Sequence, residues 1–148
     1  MSKNCLICNR IKQIKNNANK FFVKELKTGY VVIGDHQTYK GYTLFLCKLH
    51  KSELHQLTGQ DRDIFLHEMA IVAEATNNAF KPDKMNYELL GNTDEHMHWH
   101  LFPRRKEDQK AHTAIWAINK ENRSQKPSDE ELQELKSKLL VELDKLLR

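Results

Sequence analysis

Apolar residues recur every three or four positions along much of the chain. Phe65, Met69, Val72, Ala73, Thr76 and Phe80 keep that spacing, which predicts an amphipathic helix from a Thr58 cap to about Ala79. Lys81-Pro82-Asp83 ends it, because proline restricts the residue before it. His67 falls off the stripe and is expected in solvent, whereas Met69, Met85 and Met97 read as core filler. Ser128-Asp-Glu-Glu131 is a capping box that opens a helix over about 128–147. Its stripe of Leu132, Leu135, Leu139, Leu140, Leu143, Leu146 and Leu147 must be covered by this chain's sheet or a partner's. Elsewhere the period is that of strands. Phe21–Leu26 and Tyr30–Ile33 read as a hairpin split by Lys27-Thr28-Gly29, followed by strands at Thr43–Lys48 and Asn86–Leu90. Residues 9–19 read as a short helix and loop, and Ser52–Thr58 as a turn in which His55 is an exposed bystander. The order predicts an α+β fold, a mainly antiparallel five-stranded sheet with the long helix on one face and a C-terminal helix.

The sharpest alternation lies between Glu95 and Phe102. His96, His98 and His100 interleave with Met97, Trp99 and Leu101, so on a strand the three imidazoles share one face and the apolar residues the other. Three imidazoles side by side gain nothing from burial and repel when protonated, so the pattern points to a site.

Composition narrows the classes. A chain of 148 residues, 39% hydrophobic and 30% charged, is expected to be one globular domain over 1–148. No run approaches the roughly 18 apolar residues of a membrane span, and Met-Ser-Lys-Asn-Cys5 lacks a secretory apolar run, so a cytoplasmic protein is expected. The net charge of +4 is scattered, which suits anionic small molecules and falls short of a nucleic-acid stripe. Three cysteines make no disulfide framework. Cys5-Leu-Ile-Cys8 has the spacing of two thiolate ligands, and with only four residues before it the metal reading is preferred to a redox one. Cys47 is expected to pack as a small hydrophobe, although Cys47-x-x-His50 has ligand spacing too.

His96-Met-His-Trp-His-Leu-Phe102, with Pro103-Arg104 after it, resembles the signature of the histidine triad (HIT) family. Gly41–His50 is similar to the family's upstream strand, an apolar run closed by Lys-x-His, and with Asp35 the resemblance covers about residues 5–105. Residues 106–148 carry no family signal. The resemblance implies a nucleotide hydrolase acting at an α-phosphorus through a nucleotidyl-histidine intermediate. Substrates would be nucleoside phosphoramidates or dinucleoside polyphosphates such as diadenosine tetraphosphate.

His98 would be the nucleophile, oriented by a backbone carbonyl near His96. His100 would bind phosphate oxygens or assist the leaving group as a general acid. Asp35 would accept from ribose hydroxyls, unless it serves only as a turn residue. The short loop at Gly91–Glu95 resembles that of galactose-phosphate uridylyltransferases, which gives Thr93 a phosphate contact beside the amide of Asn92. Asp94 and Glu95 sit awkwardly beside an anionic substrate unless a positive charge offsets them. Zinc, by resemblance, would sit structurally on Cys5, Cys8, His50 and His96, and a homodimer would be common. The rival classes are a zinc-stabilised nucleotide-binding protein with little catalysis, and a nucleotidylyltransferase. The residues left are Arg104, read as part of a solvated charge run and alternatively as a reach to a distal phosphate, and Thr113–Ile118. That segment, with Trp116, docks on the body or on a second subunit.

Overall fold

The computed structural model describes residues 4–148; the reading of the extreme N-terminus as lacking a signal rests partly on residues outside that span. Three α-helices, α1 (Leu6–Lys15), α2 (Gly59–Phe80) and α3 (Asp129–Leu146), accompany five strands. The strands are β1 (Phe22–Glu25), β2 (Gly29–Ile33), β3 (Thr43–Cys47), β4 (Lys84–Glu88) and β5 (His98–Arg104). All neighbours are antiparallel in the order β1-β2-β3-β5-β4, so the expected α+β architecture is present.

Both faces of the sheet are covered. Val31, Ile33, Phe45 and Leu101 pack against Phe65, Val72 and Ala73 of α2 and Leu132, Leu135, Leu139 and Leu143 of α3. Four leucines of the stripe, Leu132, Leu135, Leu139 and Leu143, are therefore covered within the chain, while Leu140 and Leu146 are half-buried and Leu147 is exposed. On the opposite face Val32, Leu44, Leu46 and Phe102 meet Ile7, Ile11 and Ile14 of α1, and Ile115 and Ile118 of the segment after β5. Thr113–Ile118 thus docks on its own sheet, and the triad face, expected to be open, is partly roofed at both ends. Glu68 of α2 is buried because it accepts from the backbone N–H groups of Lys27 (2.8 Å) and Thr28 (2.9 Å), which holds the β1–β2 turn to the helix.

Most strand edges fall within a residue or two of the sequence pattern, and three differences bear on the site. β4 begins two residues before Asn86, because Lys84 and Met85 pair with Arg104 and Pro103. Helix α1 starts at the Cys-x-x-Cys, where Cys5 Sγ accepts from the Cys8 N–H at 3.3 Å, and its apolar face was hidden among lysines and asparagines. β5 begins only at His98; the Met97 N–H and carbonyl pair instead with Lys51 and Cys47, so His96 stands just outside the strand.

Candidate active site and metal centre

Each triad ring has its own environment. The His96 ring is buried, and its Nε2 lies 2.7 Å from the Cys47 carbonyl oxygen. A carbonyl only accepts, so Nε2 carries the proton and the Nδ1 lone pair points away. That Nδ1 lies 3.4 Å from Cys5 Sγ, 3.4 Å from Cys8 Sγ and 3.2 Å from His50 Nδ1, and Cys8 Sγ is 3.3 Å from His50 Nδ1. The four donor atoms all lie within 4.8 Å of one another. A tetrahedron with bonds of roughly 2.0–2.3 Å has edges of about 3.3–3.8 Å, so the set fits one tetrahedral ion. Converging lone pairs and thiolates repel unless a cation sits between them. Cys5, Cys8, His50 and His96 are thus placed to bind a metal, and His98 and His100 stand outside the group. The Cys pair does open a helix, as a redox motif would, but its thiols converge with two imidazoles in one ligand group. Cys47 is buried in the apolar core, where burial pushes its thiol up; it stands outside the ligand group and contributes its carbonyl.

His98 is held the opposite way. Its Nδ1 lies 2.7 Å from the His96 carbonyl oxygen, so the proton sits on Nδ1 and Nε2 keeps a lone pair. The ring lines a cavity of about 410 Å³ together with Leu90, Gly91, Asn92, Thr93, Asp94, His100, Trp116 and Arg123. His98 also lines a second cavity of about 320 Å³, which includes His55, Arg62, Leu89 and Glu95. Gly91 has φ +81°, a left-handed bend that lets the β4–β5 loop turn beside the first cavity.

His100 meets the Tyr42 hydroxyl through Nδ1 at 2.6 Å. Burial raises the Tyr42 phenol well above its ordinary value, so it stays protonated, and its hydroxyl can donate to this Nδ1 or accept from it. With Tyr42 as the donor, His100 carries its own proton on Nε2. Burial, then neighbouring His98 and His36, pushes its pKa down to about 3. Tyr42 stacks on Phe102 at 4.0 Å and sits tight against Gly34, where an added Cβ would overlap its ring. Trp116 closes the cavity wall edge-on to His100 at 5.2 Å, and its indole N–H donates to Glu88.

Asp35 follows β2, with one carboxylate oxygen accepting from Arg10 of α1 at 3.0 Å and the other without a hydrogen bond among the described residues. It is not one of the residues lining either cavity beside His98. Arg104 is buried rather than solvated. It bonds Asp108 (3.2 Å), Asn86 (3.2 Å) and the carbonyls of Thr113 (2.7 Å) and Lys110 (3.2 Å), and stacks on Tyr39. It knots the loop after β5 and lines neither of the two cavities that include His98. Sequence reasoning missed Tyr42, Arg10 and Arg123. Tyr42 follows Gly41 at the head of the strand whose Lys-x-His was noticed, and that adjacency was the available signal; Arg123 carries none.

The HIT domain family model matches residues 15–107. A 110-residue stretch is 30% identical to the adenosine 5'-monophosphoramidase HNT1 of Saccharomyces cerevisiae, covering 70% of this chain and 64% of that protein. The chain therefore spans just under two thirds of that relative's length. Among solved structures, a histidine triad protein from Bradyrhizobium japonicum superposes with TM-score 0.75 at 21% identity, covering 82% of this chain and 89% of that one. A zinc-bound histidine triad family protein from Mycobacterium smegmatis gives 0.69 at 20% identity, covering 96% of each chain. A HIT family protein from Bacillus anthracis gives 0.63 at 26% identity, covering 93% and 95%. Triad geometry, sheet topology and the matched span agree: the chain belongs to the HIT domain family.

Proposed function

We propose that the protein is a nucleotide hydrolase that attacks the α-phosphorus of a nucleoside phosphoramidate or dinucleoside polyphosphate with His98. One observation carries this reading: the His98 Nδ1 contact with the His96 carbonyl leaves the Nε2 lone pair available on a ring that lines the cavity. A phosphorus centre shielded by anionic oxygens needs an uncharged nucleophile, and this ring supplies one. The hydrolytic activity in the name of the yeast relative supports the class.

In the first step the Nε2–phosphorus bond forms and the bond to the leaving group breaks, its electron pair departing with that group. Water then attacks phosphorus, the phosphorus–nitrogen bond breaks, and its pair returns to Nε2. Water's hydroxyl ends on the nucleotide and its proton on the leaving group, so atoms balance. His100, neutral and protonated at Nε2, donates to a non-bridging oxygen as charge develops. That is a narrower role than general acid, because a ring with so low a pKa does not hold an extra proton near neutral pH. Asn92 and Thr93 add donors from the loop, and the free oxygen of Asp35, steadied by Arg10, takes the ribose hydroxyls.

We assign the metal as zinc, on the strength of two thiolates and two imidazoles at tetrahedral spacing. It supplies a structural cross-link between α1 and the segment entering β5. The reading of all three triad histidines as metal ligands loses support, because His98 and His100 lie outside the ligand group. The test is single-turnover mixing with an α-labelled adenosine phosphoramidate. Label should appear on the native protein and not on His98→Asn; equal labelling of both rejects the reading.

A further inference from the structure

Of the two cavities that include His98, the one of about 410 Å³ contains one Lys or Arg side chain among the described residues, and it comes from beyond residue 107, where the family match ends. Ile115 and Ile118 are buried on the triad face of the sheet and anchor the returning chain. The short turn Lys120–Arg123 follows. Arg123 Nε donates to the Ile118 carbonyl at 3.0 Å, and its guanidinium carbon lies 4.9 Å from the centre of the Trp116 ring. Neither contact neutralises it, and none of the ion pairs among the described residues includes it. A guanidinium held by one backbone acceptor and one aromatic face keeps its terminal N–H groups for a planar or tetrahedral oxyanion.

Two further features say which anion. Asp35, the ribose acceptor, does not line this cavity, so the nucleoside end of a substrate lies elsewhere and the cavity takes what lies at and beyond the α-phosphorus. The loop opposite brings Asp94 into the same wall, and an anionic guest beside a carboxylate requires a compensating cation. We propose that Arg123 binds the second phosphate, the one in the leaving group, and so selects dinucleoside polyphosphates or nucleoside diphosphates over phosphoramidates that release a neutral amine. This rests on the hydrolase reading for the orientation of the substrate.

The test separates the two ideas. In a His98→Asn background, where no intermediate forms, calorimetric titration compares ADP with AMP for Arg123 and for Arg123→Gln. Arg123→Gln should weaken ADP about tenfold and AMP less than threefold, with Arg123→Lys restoring part of the loss. Equal weakening of both nucleotides would mark a merely structural arginine and overturn the proposal, as would no change in either. Arg62→Gln, in the neighbouring cavity, is the competing cation. A selective loss of ADP there, and not at Arg123, also overturns it. Failure of the hydrolase reading shows separately, as absence of labelling with His98 intact, and leaves the ADP-to-AMP ratio measurable.

Discussion

His96 and His98 are two residues apart, yet they carry their protons on opposite ring nitrogens. His96 gives its Nε2 proton to the Cys47 carbonyl and turns a bare Nδ1 toward two cysteines and His50. His98 gives its Nδ1 proton to the His96 carbonyl and turns a bare Nε2 to the cavity. The same side chain becomes a ligand or a nucleophile according to which backbone carbonyl it meets. The start of β5 makes the difference. Once His98 is in the strand its ring stands on the sheet face, whereas His96, just before it, swings toward α1.

The comparison breaks most sharply at His98. His98→Ala should lower turnover by roughly a thousandfold or more, while bound metal stays stoichiometric by elemental analysis. Metal loss in that variant would merge the two roles. Cys8→Ser should do the reverse: metal is lost and unfolding free energy falls by several kcal/mol, on the order expected when a tight native-state ligand goes. Residual His98 labelling, measured per folded molecule, should persist. Leu139→Ala is the control that touches neither ring. It should destabilise by about 2–5 kcal/mol through a cavity between α3 and α2, with specific activity of the folded fraction intact.

A smaller effect sharpens the account. Tyr42→Phe removes the donor that fixes the His100 tautomer and should cost about tenfold in kcat with little change in KM. The acid side gives the smallest signal. The folded-state pKa of His100 lies at about 3, below the ordinary value of 6.5, so the unfolded chain binds the extra proton first. Stability from this group is present above the unfolded value and is lost as pH falls from about 6.5 toward 3. His100→Asn should flatten that part of a urea-midpoint profile against pH; an unchanged slope assigns the dependence elsewhere.

Much of this was legible in the chain because its physics is local. Alternation put His98 and His100 on one face, 3.6-residue spacing drew α2 and α3, and the Ser128 capping box is present with both of its bonds. Each depends on neighbours within a few residues. What stayed hidden depends on partners far away in sequence. Arg104 sits in a charge run and looks solvated, yet Tyr39, Asn86 and the carbonyls of Lys110 and Thr113 converge to bury it. Glu68 reads as a polar position on α2 until the hairpin turn, some forty residues earlier, delivers its N–H groups. Arg123 has no pattern at all, since only the docking of Ile115 and Ile118 brings it to the cavity. The metal group lies between these cases. The family resemblance named all four of Cys5, Cys8, His50 and His96, whereas the residues by themselves showed only the Cys pair, because its convergence on His50 and His96 requires α1 to fold against the sheet.

Nitrogen-15 NMR of histidine-labelled, metal-loaded protein at neutral pH tests the central claim most directly, because ring-nitrogen shifts report which nitrogen is protonated. His98 should show a protonated Nδ1 and a bare Nε2, and His96 the reverse with Nδ1 bound to the metal. A His98 ring protonated at Nε2, or at both nitrogens, would contradict the account, since no lone pair would then face the phosphorus.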